Sequence, residues 1–479
     1  MKRFLALILL IVTAFAFASC AGKAAYTGSR SNGTSSFSGG YNPSPKYSPS
    51  IADDSSYKGG SGYELTGGGL SGEEAYSYDG ETTSGLEGKN QIRAGQLTAK
   101  AQNDNGAYED WKLLFASASE NQKQGAFYRY QSDRNEVWAC NTEKRVKVTV
   151  KNGEEPVVGA TVTYCDPKQV SWTARTDISG VAYLFPKEDE GALTISSGKG
   201  TASATFTAEN RDLAIDLSEN EAHANLVKIM FVIDATGSMG DEMDYLAAEL
   251  ADVIHRVAAQ ANGVKIDLAL LFYRDDGDQE KFAYSDFETV SQEAGLKKQL
   301  KVLDEQYATG GGDTPEAVDE ALVLAAEKNW GEENSTKLMF LVLDAPSHQT
   351  VTNRNRTSSA VKTAAEKGIR ICPVLCSGAD LFCEYVTRTA AILTGGTSIF
   401  ITDDSGIGGS HLDPDLPEVT VEKLNDLLVR LIVGYHTGDF GEAKAWNAGE
   451  KEKPGPQTSF EDSAPEADPA PTATAPTEG

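Results

Sequence analysis

Between residues 224 and 437 the apolar positions follow two rhythms in turn. Runs such as Leu226-Val-Lys-Ile-Met-Phe-Val-Ile233 are apolar almost throughout, as a strand covered on both faces must be. The stretches between them repeat every three to four residues; Leu246, Leu250, Val253, Ile254 and Val257 make one helical stripe. The reading predicts strands near 226–233, 264–273, 337–343, 369–375 and 398–402, and a short antiparallel edge strand near 281–284. Helices are expected near 241–260, 315–328, 356–367, 380–393 and 420–433. Strands that alternate with helices in this way predict an α/β fold, doubly wound about a mainly parallel sheet.

Ahead of this region the rhythm changes to period two. Over 144–217, Val146, Val148 and Val150, then Ala160, Val162 and Tyr164, then Val181, Tyr183 and Phe185 alternate with polar residues. Asn152-Gly153, Asp166-Pro167 and Ser179-Gly180 supply the turns, so a small antiparallel β-sandwich is expected. Residues 91–143 read as a short helical and irregular segment, with a helix near 108–119; its aromatics, among them Trp111, Phe115, Phe127, Tyr130 and Trp138, are read as packing material rather than a ligand platform. Residues 20–90 are rich in Gly, Ser and Tyr and read as a tether, and 441–479 as a Pro/Ala-rich acidic tail.

The chain has 479 residues and a net charge of −27. That balance argues against nucleic acid and against electrostatic docking on anionic lipid. Lys2 and Arg3 precede an uncharged run from Phe4 to Ser19, shorter than the ~20 residues of a bilayer span, so 1–19 reads as a signal peptide. Phe17-Ala18-Ser19-Cys20 resembles a bacterial lipobox. The resemblance implies lipidation of Cys20 and a membrane anchor at the bacterial cell envelope, on the outer membrane if the cell is Gram-negative; ordinary cleavage after Ala16 or Ala18 is the alternative. In this exported setting Cys140 and Cys165 could form a disulfide. Cys372 and Cys376 share one strand, roughly 13 Å apart at ~3.3 Å per residue, and do not pair with each other; Cys383 could reach one of them.

Candidate chemistry gathers at strand ends. Asp234, Thr236 and Ser238 place oxygen donors at i, i+2 and i+4 directly after the first strand. One carboxylate with two hydroxyls suits a hard divalent cation such as Mg²⁺, or Mn²⁺ or Ca²⁺ in its place, and not a soft metal. The plain alternative is a turn and helix cap at Ser238. Asp234-Ala-Thr-Gly-Ser238 resembles the metal-ion-dependent adhesion site of von Willebrand factor A domains, with Thr236 in place of the first Ser. That resemblance implies a Thr ligand from Gly310-Gly-Gly-Asp-Thr-Pro-Glu316, nominally Thr314, with Asp313 as the alternative, and a last ligand at Asp344. Thr314 is also expected to cap the next helix, with Pro315 at its first position. Nearby, His348 either lines the crevice or is a surface histidine, and Asp275, Asp276 and Asp278 are expected to form an acidic rim rather than a second metal site. The β-sandwich region resembles carboxypeptidase-regulatory-like domains over Val148–Val162 and Ala174–Gly180.

These resemblances imply a lipid-anchored binding module, in which a protein partner's Asp or Glu completes the coordination of the metal in adhesion or protein–protein interaction. A metal-dependent hydrolase and a scaffold for envelope assembly are the rival readings. No HExxH, GxSxG or phosphate-cradling loop occurs in the chain, so no enzymatic role is expected.

Overall fold

The computed structural model describes residues 92–119, 123–138, 140–165, 171–259, 263–312, 314–331, 334–417 and 419–447. The segments read as a signal peptide and a tether, Cys20, Asp313 and most of the segment read as a tail therefore lie outside the described residues. A strand forms first where none was expected: β1 (Thr98–Gln102). The helix anticipated near 108–119 is shorter, α1 (Tyr108–Leu113), and a second short helix, α2 (Gln131–Glu136), follows.

The period-two region folds as anticipated into two packed sheets. Its strands are β2 (Val146–Asn152), β3 (Glu155–Pro156), β4 (Thr161–Cys165), β5 (Ser171–Arg175), β6 (Val181–Leu184), β7 (Gly191–Ser197), β8 (Gly200–Phe206) and β9 (Asp212–Asp216). One sheet runs β3-β2-β6, with β9 also on β2; the other runs β5-β4-β7-β8. The sandwich is not wholly antiparallel, because β9 pairs with β2 in parallel. Alternate residues of β2 and β4 are buried, so each strand turns one face to the core.

The α/β region supplies β10 (Leu226–Asp234), α3 (Met243–Ala259), β11 (Lys265–Tyr273), β12 (Phe282–Tyr284), β13 (Glu288–Thr289), α4 (Glu293–Asp304), α5 (Val318–Glu327), β14 (Thr336–Leu343), α6 (Val351–Lys367), β15 (Ile369–Leu375), α7 (Leu381–Thr394), β16 (Ser398–Ile401), β17 (Glu422–Lys423) and α8 (Leu424–Thr437). Its sheet runs β12-β11-β10-β14-β15-β16-β1-β17, with β13 also on β11. Strands β11, β10, β14, β15 and β16 are parallel. β12 is antiparallel at the edge, as its short pattern suggested. All residues of β10 and β14 are buried, which places the two strands at the centre with helices on both faces. The fold is thus α/β with a mainly parallel central sheet.

β1 extends this sheet between β16 and β17, antiparallel to both. A buried carboxylate fixes its approach: Glu249 of α3 accepts hydrogen bonds from the backbone N–H groups of Gly95, Gln96 and Leu97 at 2.8–2.9 Å. The aromatics that follow are core. Trp111, Phe115 and Phe127 meet edge to face at 5.4–5.9 Å, and Tyr130 stacks on Tyr385 of α7 at 4.6 Å. Beneath them Arg388 donates twice to Asp104, at 2.6 and 3.0 Å, and once to Glu384 at 2.8 Å; all three side chains of this network are buried. Cys140 lies in the hydrophobic cluster, Cys165 ends β4 half-buried, and Cys372, Cys376 and Cys383 are buried.

Candidate metal centre at the strand ends

Parallel strands bring their carboxyl ends to one edge of the sheet, and the candidate residues emerge there. Asp234 is the last residue of β10, paired in register with Tyr273 of β11. It is fully buried. Its Oδ1 accepts hydrogen bonds from the Thr236 backbone N at 2.9 Å and the Thr236 hydroxyl at 2.7 Å. The Thr236 and Ser238 hydroxyls lie 3.1 Å apart. Thr236 is buried and Ser238 exposed, so the three donors rise from the floor of the site to its mouth. The capping alternative does not hold for Ser238. Residues Gly237–Asp241 form a 3-10 turn that begins after Thr236 and has no side-chain cap, and α3 starts only at Met243.

The glycine loop is stitched to this turn by backbone bonds. Thr309 N donates to Ala235 O at 2.9 Å, and Gly237 N to Gly310 O at 3.1 Å. On its other side Gly311 N donates to Asp278 at 3.0 Å. Gly310 has φ +79°, and a Cβ there would lie 2.5 Å from the Asp278 carboxylate, so no other residue fits.

Thr314 does not cap a helix. α5 begins at Val318 after Ala317, without a side-chain cap, and Thr314 is exposed on the loop. The residue that this loop buries is Glu316. It is 3% exposed, and its backbone N donates to Pro346 O at 3.0 Å. That bond ties it to the loop after β14, which carries Asp344. Asp344 is itself buried.

Three carboxylate oxygens at this edge, Asp234 Oδ2, Asp344 Oδ1 and Glu316 Oε2, are buried without a hydrogen-bond donor. Their ionisation reflects it. Burial, and then the charge of Asp344, raise the Asp234 carboxyl from 3.8 to about 7 against the pull of the Thr236 hydrogen bonds. Burial first, then Asp234, Asp275, Asp344 and Asp278, raise Glu316 to about 8. Asp344 is raised by burial, with Ser238 pulling the other way and Glu242 and Asp241 adding repulsion. Carboxylates buried together, each with one oxygen left without a donor, are costly to ionise unless something positive joins them. Among the described residues no three His, Cys, Asp or Glu side chains close into a ready cage. Few carboxylates mixed with hydroxyls fit a hard cation that keeps water in its shell.

The acidic rim is a clasp. Asp278 accepts from Asp275 N at 3.0 Å as well as from Gly311, which joins the loop after β11 to the glycine loop. His348 is half-buried, with Nε2 3.0 Å from Asp275 Oδ1. A second layer, invisible in the sequence, lies behind: His411 bridges Glu242 at 2.5 Å and Asp403 at 2.7 Å, and Glu242 also accepts from Ser377 N at 3.2 Å.

The profile of the von Willebrand factor A domain family matches residues 228–390, a span that contains Asp234, Thr236, Ser238, Glu316 and Asp344. This part of the chain is therefore similar to von Willebrand factor A domains in sequence, and its α/β fold is consistent with theirs. No curated protein matches the chain. Similar solved structures include the pilus adhesin SpaC from Lactobacillus rhamnosus GG, at 10% identity over 43% of this chain and 32% of that one, with a TM-score of 0.27. Its open conformation gives 9% identity, 52% and 32% coverage and a TM-score of 0.28. An aerotolerance-related membrane protein from Bacteroides fragilis NCTC 9343 gives 13% identity, 44% and 89% coverage and a TM-score of 0.24. The chain spans about a third of the adhesin's length.

Proposed function

We propose that this von Willebrand factor A domain holds a divalent cation, Mg²⁺ or Mn²⁺, and through it binds a protein partner that presents an Asp or Glu side chain. Asp234, Thr236, Ser238 and Asp344 would hold the cation, with Thr314 or Asp313 reaching it from the glycine loop. The observation that carries the reading is the set of buried carboxylate oxygens without donors at the carboxyl ends of the strands. The bound cation would supply a centre of positive charge that a partner's carboxylate can complete. The chain's own residues supply the rest. Thr236 fixes one oxygen of Asp234 and leaves the other open, and the clasp through Asp278 holds the glycine loop against the site.

In this reading the domain sits at the bacterial cell envelope on a lipid anchor at Cys20, and the β-sandwich is a structural companion of the carboxypeptidase-regulatory-like kind. The chemistry is binding, for which no general base is needed. Titration calorimetry with Mg²⁺, and affinity capture from the native envelope with and without EDTA, test it on the full chain. Wild-type protein should bind the cation and retain its partner only without EDTA, and Asp234→Ala should lose both together. Undiminished cation binding by a folded Asp234→Ala protein would overturn the site.

A further inference from the structure

Glu316 belongs to none of the positions that the resemblance assigned, yet the structure spends several contacts on placing it. Its backbone is bonded to Pro346 and bridged to Ser347, in the loop of Asp344. Its side chain is turned toward the Asp234–Ser238 segment. A Cβ built on Gly311 would fall 3.2 Å from Glu316 Oε1 and 3.3 Å from Thr236 Cβ, so the glutamate and the threonine both close on the same glycine. Gly311, at φ +76°, is the residue that allows this approach. The carboxylate arrives 97% buried, with Oε2 bare of any donor. The charges that act on it are more carboxylates, those of Asp234, Asp275, Asp344 and Asp278, while Lys281 pairs with Asp276 and Glu320, and Arg356 with Asp319 and Glu320. A packing role would be filled more cheaply by an uncharged side chain.

We propose that Glu316 is a third carboxylate of the cation centre, acting through a cation-bound water, and that its charge sets how tightly the domain holds its cation before any partner arrives. The inference rests on the cation site proposed above. Among the described residues no three His, Cys, Asp or Glu side chains close into a cage, and the role proposed for Glu316 is accordingly in the outer layer, where partners of the bound waters tune affinity. A glutamate there adds negative charge without taking a direct coordination place, so the position for a partner's carboxylate stays open.

The test uses the full chain and Mn²⁺ alone as probe, read by electron paramagnetic resonance of free Mn²⁺ and by calorimetry. Glu316→Gln keeps the shape and removes the charge, and should weaken Mn²⁺ binding roughly 10–100-fold, as loss of an outer-layer partner does. Glu316→Asp restores the charge and should recover most of that loss. Glu320→Gln, on the exposed side of α5, should bind as wild type does. Circular dichroism establishes that each variant is folded. Wild-type affinity in Glu316→Gln overturns the inference and leaves the cation site standing if Asp234→Ala still abolishes binding. Equal losses in the Gln and Asp variants would show a role for side-chain length rather than charge and also overturn it. Failure of the wild type to bind Mn²⁺ sinks both.

Discussion

Replacement of Asp234 by Asn gives the most direct reading of how much strain the site stores without its cation. The Asn Oδ1 can still accept both hydrogen bonds from Thr236, so the turn keeps its shape and only the charge is lost. In the folded chain the Asp234 carboxyl is raised from 3.8 to about 7, first by burial and then by Asp344. Each tenfold change in proton affinity is worth about 1.4 kcal/mol, so holding the charge at alkaline pH costs on the order of 4 kcal/mol.

The sign follows from linkage. Below about pH 4 the group is protonated in both folded and unfolded chains, and the cost is absent. It grows as pH rises from about 4 to 7 and is complete above that window. Thermal unfolding in EDTA should therefore show Asp234→Asn more stable than wild type at pH 8, by roughly 8–16 °C for a domain of this size, with the gap shrinking toward pH 4. Mg²⁺ at saturating concentration should raise the wild-type transition and leave the variant's in place. Equal transitions for the two proteins at pH 8 in EDTA, or a gap that does not change with pH, would refute the argument that buried like charge strains the empty site.

Arg388→Met removes the guanidinium from between Asp104 and Glu384 and leaves both carboxylates buried. It should cost about 3–5 kcal/mol in urea unfolding, and a loss under 1 kcal/mol would show that the ion network is not what pins the 98–115 segment to α7. Cys20→Ala should release the protein from the membrane fraction and remove the mass of the acyl chains; unchanged fractionation and mass would reject the lipid anchor.

The α/β fold was legible because its central strands are buried on both faces and therefore continuously apolar, while its helices carry one stripe each. Among the elements that escaped, α4 and β1 are instructive. α4 has Leu296, Leu300 and Leu303 at helical spacing, a signal present but short among many charges. β1, Thr-Ala-Lys-Ala-Gln, has no apolar run at all; it is a strand because Glu249, some 150 residues away, fixes the backbone before it and because β16 and β17 offer it edges. Such a strand is made by context and leaves no local mark. At the site, Asp234, Thr236 and Ser238 could be found because three oxygen donors follow one buried strand. Glu316 could not be given its place so readily, since what buries it is the loop of Asp344, which is remote in sequence.

The opposite edge of the sheet explains why the second domain leaves the candidate site open. Helices α5, α6 and α7 all end there, and their carbonyl groups, which carry partial negative charge, are met by cations. Lys367 Nζ donates to Ala326 O at 2.7 Å and Arg370 Nη1 to Thr394 O at 2.9 Å. The third cation comes from the β-sandwich: Arg175 at the end of β5 donates through Nε to Glu366 O at 2.9 Å, while Arg370 Nη2 donates to Arg175 O at 3.0 Å. Asn334, just before β14, adds a bond to Val158 O at 2.8 Å. The sandwich thus docks by capping a helix terminus, and helix carboxyl ends lie only at the amino edge of a parallel sheet. The same rule that draws the acidic loops to one edge sends the docking cations to the other. A partner of the proposed kind would meet the carboxyl edge, whereas the bonds described here hold the sandwich at the amino edge.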